Sequence, residues 1–340
     1  MVLSDVDECL ANAKRVPDSS RPYRGKVKGV IRFSVTTAFK RPSIAATILF
    51  FTLVGVISNL AVLTVFICHW RSTFRSQYFT FFVLNMIIAG IVYCSTNLWV
   101  SVPCTINECP FIRSDGLMIT MSTPNTWGYW AYLLSSLTFT IYRFGVFMSS
   151  SFGERKSCMQ MLLILSWLLP IVITLGSTAL GCQKRYNRYS LAYTFDCSNC
   201  TIFWGFSFLD FNQYAGQSIP LIMITAYAII LFSVYRNRKT HGGFNRQQSI
   251  ADAKLAFQFI IICCSQYLST LLFFIIPKVG YRSDWSVLLM NTIGTINVSI
   301  NPTVLLLWNQ QVRSSALVTF GRRQVRTVTE ATAIRSVKPV

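Results

Sequence analysis

Seven stretches of this sequence, each long enough to cross a bilayer as a helix, contain no Asp, Glu, Lys or Arg: 44–67, 78–103, 117–142, 157–183, 211–235, 255–277 and 285–312. A hydrocarbon core about 30 Å thick takes roughly 20 helical residues to cross. Inside it no water bonds a bare N–H or C=O, so only helices or closed barrels span it. These stretches lack period-two alternation and exceed the length of a barrel strand. They predict an all-α membrane protein, a seven-transmembrane helix bundle. In the third stretch the polar start "MITMSTPNTWG" places the helix entry at Pro124, and the helix is expected to pass Arg143 and end near Met148.

Composition agrees. Of 340 residues, 52% are apolar and 13% charged, and the mean hydropathy is +0.46; soluble domains carry about 25% charged residues. Residues 1–43 form a polar, basic amino-terminal tail without the apolar core of a cleavable signal, so the first span is expected to act as its own insertion signal. No internal repeat or Gly/Ser linker divides the chain, which reads as a tail (1–43), a seven-span domain (44–312) and a carboxyl-terminal segment (313–340). In "WNQQVRSSALVTFGRR", Trp308, Val312, Ala316 and Phe320 recur every fourth residue beside Arg313, Arg322 and Arg323, predicting a short amphipathic helix on the membrane surface that stops at Gly321. That surface accounts for the net charge of +19 better than nucleic acid does.

Lys and Arg are retained on the cytoplasmic side. Arg71, Arg75, Arg143, Arg155, Lys156, the basic run from Arg236 to Lys254 and the carboxyl tail share one side; Arg113, Lys184, Arg185, Arg188, Lys278 and Arg282 share the other. The segments between and after the spans favour an outside amino terminus, whereas adding the basic amino tail evens the balance. The cysteines favour the same orientation. Cys104 and Cys109 follow the second span, and Cys182, Cys197 and Cys200 follow the fourth, where that topology meets an oxidising compartment. A bridge from the Cys104/Cys109 loop to the Cys197/Cys200 loop is expected, with unpaired small thiols as the alternative; spacing does not dictate connectivity. Asn199-Cys200-Thr201 is a glycosylation sequon on the same side.

Several positions resemble a known family across about 44–320. Gly55 and Asn59 in "GVISN", Asn85 closing "FFVLN", Tyr142-Arg143-Phe144, Trp167, Pro220 and Asn301-Pro302 fall in the order and spacing of the rhodopsin-type G-protein-coupled receptors. The departures are Tyr142 for an acid, Gly90 for the family's aspartate, no Trp-x-Pro in the sixth span, Leu305 for a tyrosine, and Met118 near a usual cysteine. With "YRF" and basic segments after spans five and seven, the pattern looks like the nematode serpentine chemoreceptors of Srx or Srt type. The resemblance implies a chemosensory receptor, in the plasma membrane or a sensory cilium, coupling to a heterotrimeric G protein, with Tyr142, Arg143, Asn301 and Pro302 as coupling and switch residues and Asn59 with Asn85 in a polar network. Arg143 has a second reading as a snorkelling anchor at a helix end.

Ligand chemistry is narrowed by what the spans omit. The seventh holds no lysine for a Schiff base and none holds a carboxylate for an ammonium. Tyr129, Trp130, Tyr214 and Gln217 then form the candidate pocket for a small, largely apolar ligand; Trp99 and Trp127 serve equally well as interfacial anchors. His69 and His241 are the only histidines, and no metal-ligand or phosphate-loop spacing occurs, so neither cofactor, metal nor enzyme is expected. The rival class is a seven-span channel or transporter subunit of inverted, amino-inside topology. Oligomeric state is not written in the spans.

Overall fold

The computed structural model describes residues 41–321 apart from 76, 108, 110, 113, 150, 151, 154, 188–190, 196–200, 204, 205, 241–245 and 280–283, and for 201–203, 206, 237–240, 246–252, 277–279, 284, 285 and 287 it describes the backbone alone. Cys197, Asn199, Cys200 and most of both tails lie outside the described residues.

Helix α1 (Arg41–Cys68) leads through a π-helical turn (Trp70–Phe74) to the second span, made of α2 (Tyr78–Thr96), a π-turn (Asn97–Ser101) and α3 (Val102–Asn107). Then follow α4 (Asp115–Met148) and α5 (Lys156–Ala179), two short hairpins, β1 (Lys184–Asn187) with β2 (Ala192–Phe195) and β3 (Thr201–Phe203) with β4 (Phe206–Ser207), then α6 (Phe208–Thr240), α7 (Arg246–Val279), α8 (Asp284–Trp308) and α9 (Gln310–Phe320). Among the described residues, six helices are apolar and long enough to cross a membrane. The seventh, α8, is diluted by amides and hydroxyls, and those point inward: Asn291, Thr292, Thr295, Asn297, Ser299 and Asn301 are all buried. Packed against α1 and α7, it completes a seven-span bundle. The protein is a multi-pass membrane protein.

Lipid-facing and inward-facing surfaces separate by helical period. On α5, Ile164, Leu168, Val172 and Leu175 are exposed, while Ser166, Pro170 and Thr174 are buried. Inside, an aromatic seam joins four helices. Phe139 of α4 meets Phe82 of α2 and Phe259 of α7 with centroids 6.0 and 4.5 Å apart, and Tyr227 of α6 stacks on Phe259 at 5.6 Å. Such pairs add about 0.5–1.5 kcal/mol each beyond their buried area.

Two expected boundaries move. Pro124 does not open the third span; it lies inside α4, which begins at Asp115 with the Ser114 hydroxyl accepting from Leu117 N. The Thr120 and Thr123 hydroxyls donate to the carbonyls of Gly116 and Ile119, and such local bonds help a membrane helix accommodate a proline. The seventh span ends at Trp308 rather than Val312, because Asn309 turns the chain and its side chain accepts from the amides of Gln311 and Val312, capping α9. The expected amphipathic helix is present. Val312 is fully buried with Val62, Val65, Phe66 and Phe74, whereas Leu317 and Phe320 are exposed. Gly321 N donates to Leu317 O at its end.

Gly128 lets α4 approach α2: a Cβ there would stand 2.8 Å from the backbone nitrogen of Tyr93 and 3.0 Å from its Cα. Backbone cannot yield as a flexible side chain does, so Gly128→Ala should destabilise the purified protein by about 1–3 kcal/mol. Gly176 has open space, and Gly176→Ala should leave the melting temperature unchanged or raised. Thermal unfolding of both variants in detergent checks the pair.

Candidate functional site

The hairpin β1–β2 folds over one end of the bundle. Its register pairs Lys184 with Phe195 and Tyr186 with Tyr193, so strand alternation sends these four side chains to one face. That face meets the helices. Tyr186 and Tyr193 are buried; the Tyr186 hydroxyl lies 2.6 Å from that of Thr105, and the Tyr193 hydroxyl donates to Thr96 O at 3.4 Å. Burial pushes the Tyr186 phenol up to about 12, which keeps its proton in place for that bond. Arg185, on the opposite face, reaches the exposed Asp115 at 3.7 Å. From α8, the Asn291 amide donates to Leu191 O in the hairpin turn at 2.6 Å.

Beneath the hairpin is a cavity of about 60 Å³ open to water-sized molecules. Tyr93 of α2, Thr126, Tyr129 and Tyr132 of α4, and Asn212 of α6 line it with Gln266 and Thr270 of α7, Gly294 and Asn297 of α8, and Lys184 and Phe195 of the hairpin. The space exists partly because residue 294 is glycine; a methyl group there would collide with the Tyr93 hydroxyl. Just beyond Tyr93 the π-turn re-aims the second span, and Asn97 within it donates to Thr295 Oγ1 at 3.0 Å. Gln266 donates to Ser136 Oγ at 3.0 Å, tying α7 to α4 at the cavity floor.

Lys184 is the one charged residue among the described residues of the wall. Its ammonium donates to Asn125 Oδ1 at 2.7 Å and lies 5.4 and 5.7 Å from the ring centroids of Tyr193 and Phe195. Desolvation lowers its pKa to about 8. Reading the loop as a set of equivalent charges missed this residue. The signal was present in the alternation of "KRYN" and "AYTF", which places a lysine on the same face as three aromatics.

Of the four candidate pocket residues, Tyr129 lines the cavity. Trp130 is fully buried beside it and stacks on Phe211 at 5.4 Å. Tyr214 is 63% exposed on the outer face of α6; it follows Asn212 by two residues, about 200° around the helix, so it is removed from the pocket. Gln217 is half-buried and off the cavity wall. Trp127 pairs with Trp167 at 5.2 Å between α4 and α5, and Trp99 donates to Met121 O.

The cysteines pair differently from expectation. Cys104 and Cys109 bond each other, which excludes a bridge from either to the loop after span four. Closing so short a loop costs less chain entropy than joining two distant ones. Cys182 is also disulfide-bonded.

At the far end of α4, Tyr142 stacks on Phe82 at 5.1 Å. Arg143 is half-buried, within electrostatic reach of the Tyr227 hydroxyl on α6. Asn301 is fully buried and followed by the buried Pro302; neither polar atom of its amide has a hydrogen-bond partner among the described residues. Asn59 and Asn85 do not form one network. Asn59 donates to Gly55 O at 2.8 Å on its own helix, while Asn85 donates to Ser166 Oγ at 2.9 Å on α5.

The seven-helix bundle with a hairpin over one end has a counterpart among solved structures. The crystal structure of squid rhodopsin superposes with a TM-score of 0.69 over 93% of this chain and 98% of that one, at 14% identity. The fold is therefore that of the rhodopsin-like seven-helix membrane proteins. The chain belongs to the family described as "Protein of unknown function (DUF621)", whose model matches residues 28–315. No curated protein matches it.

The depressed lysine makes stability depend on pH. An unfolded chain holds the Lys184 proton up to about pH 10.4, whereas the folded protein gives it up near 8. The unfolded state binds more protons between those values, so stability should rise with pH across that window. The melting temperature of wild type relative to Lys184→Met, measured from about pH 7 to 10, should rise with pH.

Proposed function

We propose that this protein is a G-protein-coupled chemosensory receptor, akin to the nematode serpentine receptors, that binds a small molecule in the cavity under the β1–β2 hairpin and signals from the Arg143 end of the bundle. The observation that carries the reading is that one helix serves both ends. Thr126, Tyr129 and Tyr132 of α4 line the cavity, and Arg143 lies about 17–25 Å farther along the same helix at 1.5 Å per residue. Occupancy that shifts α4 against α6 or α7 is felt where Arg143 faces Tyr227. With tyrosine rather than an acid at position 142, the arginine lacks a carboxylate beside it in sequence, and it exchanges its resting contacts for a cytoplasmic partner when the helices rearrange. Pro170, Pro220 and Pro302, each inside a span, supply points where the helices bend.

The amino terminus is outside in this reading. Disulfides Cys104–Cys109 and that of Cys182 cluster at the hairpin end, as an oxidising compartment requires. The unpaired Cys68 and Cys158 lie at the opposite end, beside Arg71, Arg75, Arg155 and Lys156.

Epitope accessibility in intact cells tests the topology: an amino-terminal tag should stain without permeabilisation and a carboxyl-terminal tag only after it. Staining of the carboxyl tag from outside would overturn the receptor reading in favour of an inverted channel subunit. Arg143→Ala should lower basal nucleotide exchange on co-expressed G proteins by about an order of magnitude while surface expression is kept. Equal exchange in the mutant would remove Arg143 from coupling.

A further inference from the structure

The receptor reading leaves the ligand's chemistry open, and the following inference rests on that reading for its biological use. We infer that the cavity binds a small monocarboxylate, held through its anionic group by Lys184 with donors from the neighbouring wall.

Lys184 is placed where a cation is costly. Its side chain is half-buried against two aromatic rings, and a protein offsets a charge so placed with a counter-ion or strong acceptors. Among the described residues it has one amide oxygen, Asn125 Oδ1 at 2.7 Å, and two aromatic faces. No Asp or Glu lines the cavity among those residues. Three ammonium protons and one strong acceptor leave donor capacity directed at the cavity.

The unpartnered groups on the wall are mostly donors. The hydroxyls of Thr126 and Tyr132, both on α4, are buried without a hydrogen-bond partner among the described residues, and the Gln266 amide oxygen is the acceptor among the unpartnered groups. A carboxylate needs donors only and offers several lone pairs, so it satisfies the two hydroxyls together with the ammonium. An ammonium ligand would be repelled. A neutral alcohol or amide would leave the charge uncompensated.

Size narrows the class further. The cavity volume of about 60 Å³ is well below the ~150 Å³ that admits benzene in an engineered apolar cavity. Short-chain acids fit, with the carboxylate toward the hairpin and the alkyl end toward Leu133 and Val298 on the wall below.

The full-length protein, purified and reconstituted in nanodiscs at about pH 7, below the Lys184 pKa of about 8, is titrated with acetate, propionate and butyrate and with acetamide, propionamide and butyramide at constant ionic strength. Tryptophan fluorescence and the melting temperature report binding. At least one carboxylate should bind saturably and about tenfold or more tighter than its amide. Lys184→Met should abolish that preference and Lys184→Arg should keep it. Equal affinity for acid and amide, no saturable binding of any of the three acids, or a preference that survives Lys184→Met would overturn the inference. If Lys184→Met does not fold, the acid-to-amide comparison on wild type decides alone. Nucleotide exchange measured in parallel separates the two claims. Carboxylate binding without exchange sustains this site and removes the receptor reading, whereas exchange driven equally by acids and amides sustains the receptor and overturns this site.

Discussion

In a bilayer interior an unpaired backbone N–H or C=O costs several kcal/mol, and no water is present to relieve it. Everything else in this molecule follows from that constraint. It makes each span a helix and then acts on the side chains. Hydroxyls of Thr64, Thr96, Thr138, Thr140, Thr225, Ser299 and Thr303 bond carbonyls three or four residues back on their own helix. Polar residues in the spans are therefore largely consumed locally. Those that reach across helices, Asn85 to Ser166, Asn97 to Thr295, Gln266 to Ser136 and Ser265 to Asn297, are few, and they tie the bundle together at named points.

The same constraint explains where irregular backbone occurs. The π-turn at Asn97–Ser101 lies beside the cavity and under the hairpin, where Tyr193 and Tyr186 and the side chain of Asn97 supply bonds. Departures from a regular helix are tolerated where protein or a cavity, rather than lipid, surrounds them. The hairpin itself belongs to the watery end. Its two faces divide between Arg185 and Lys184, one toward solvent and one toward the cavity. Two cations adjacent in sequence thereby acquire opposite electrostatic roles.

How far a residue's place was legible depended on the length scale of the signal. The seven spans and α9 were legible because hydropathy integrates over a whole helix, and ten or more residues must agree for it to mislead. Single positions were not. Tyr214 looked like a pocket residue from its composition, yet a rotation of about 200° from Asn212 puts it on the exposed face of its helix. Pro124 looked like a helix start because proline is common there, but the chain already turns helically from Asp115. Asn59 and Asn85 shared a chemistry but not a partner.

The sequence by itself determined the class: seven apolar helices, a surface helix after them, and an arginine at the end of the third span. Local composition suffices for that, since the bilayer selects helices by length and hydropathy alone. Tertiary structure decided which cysteines pair, which aromatics face a cavity, and that Lys184 is a cavity residue rather than a loop charge. Those outcomes depend on helix rotation, strand register and the closing of one chain segment over another. All three are set by contacts between residues far apart in sequence, such as Lys184 with Asn125 and Asn291 with Leu191, and no local pattern records them.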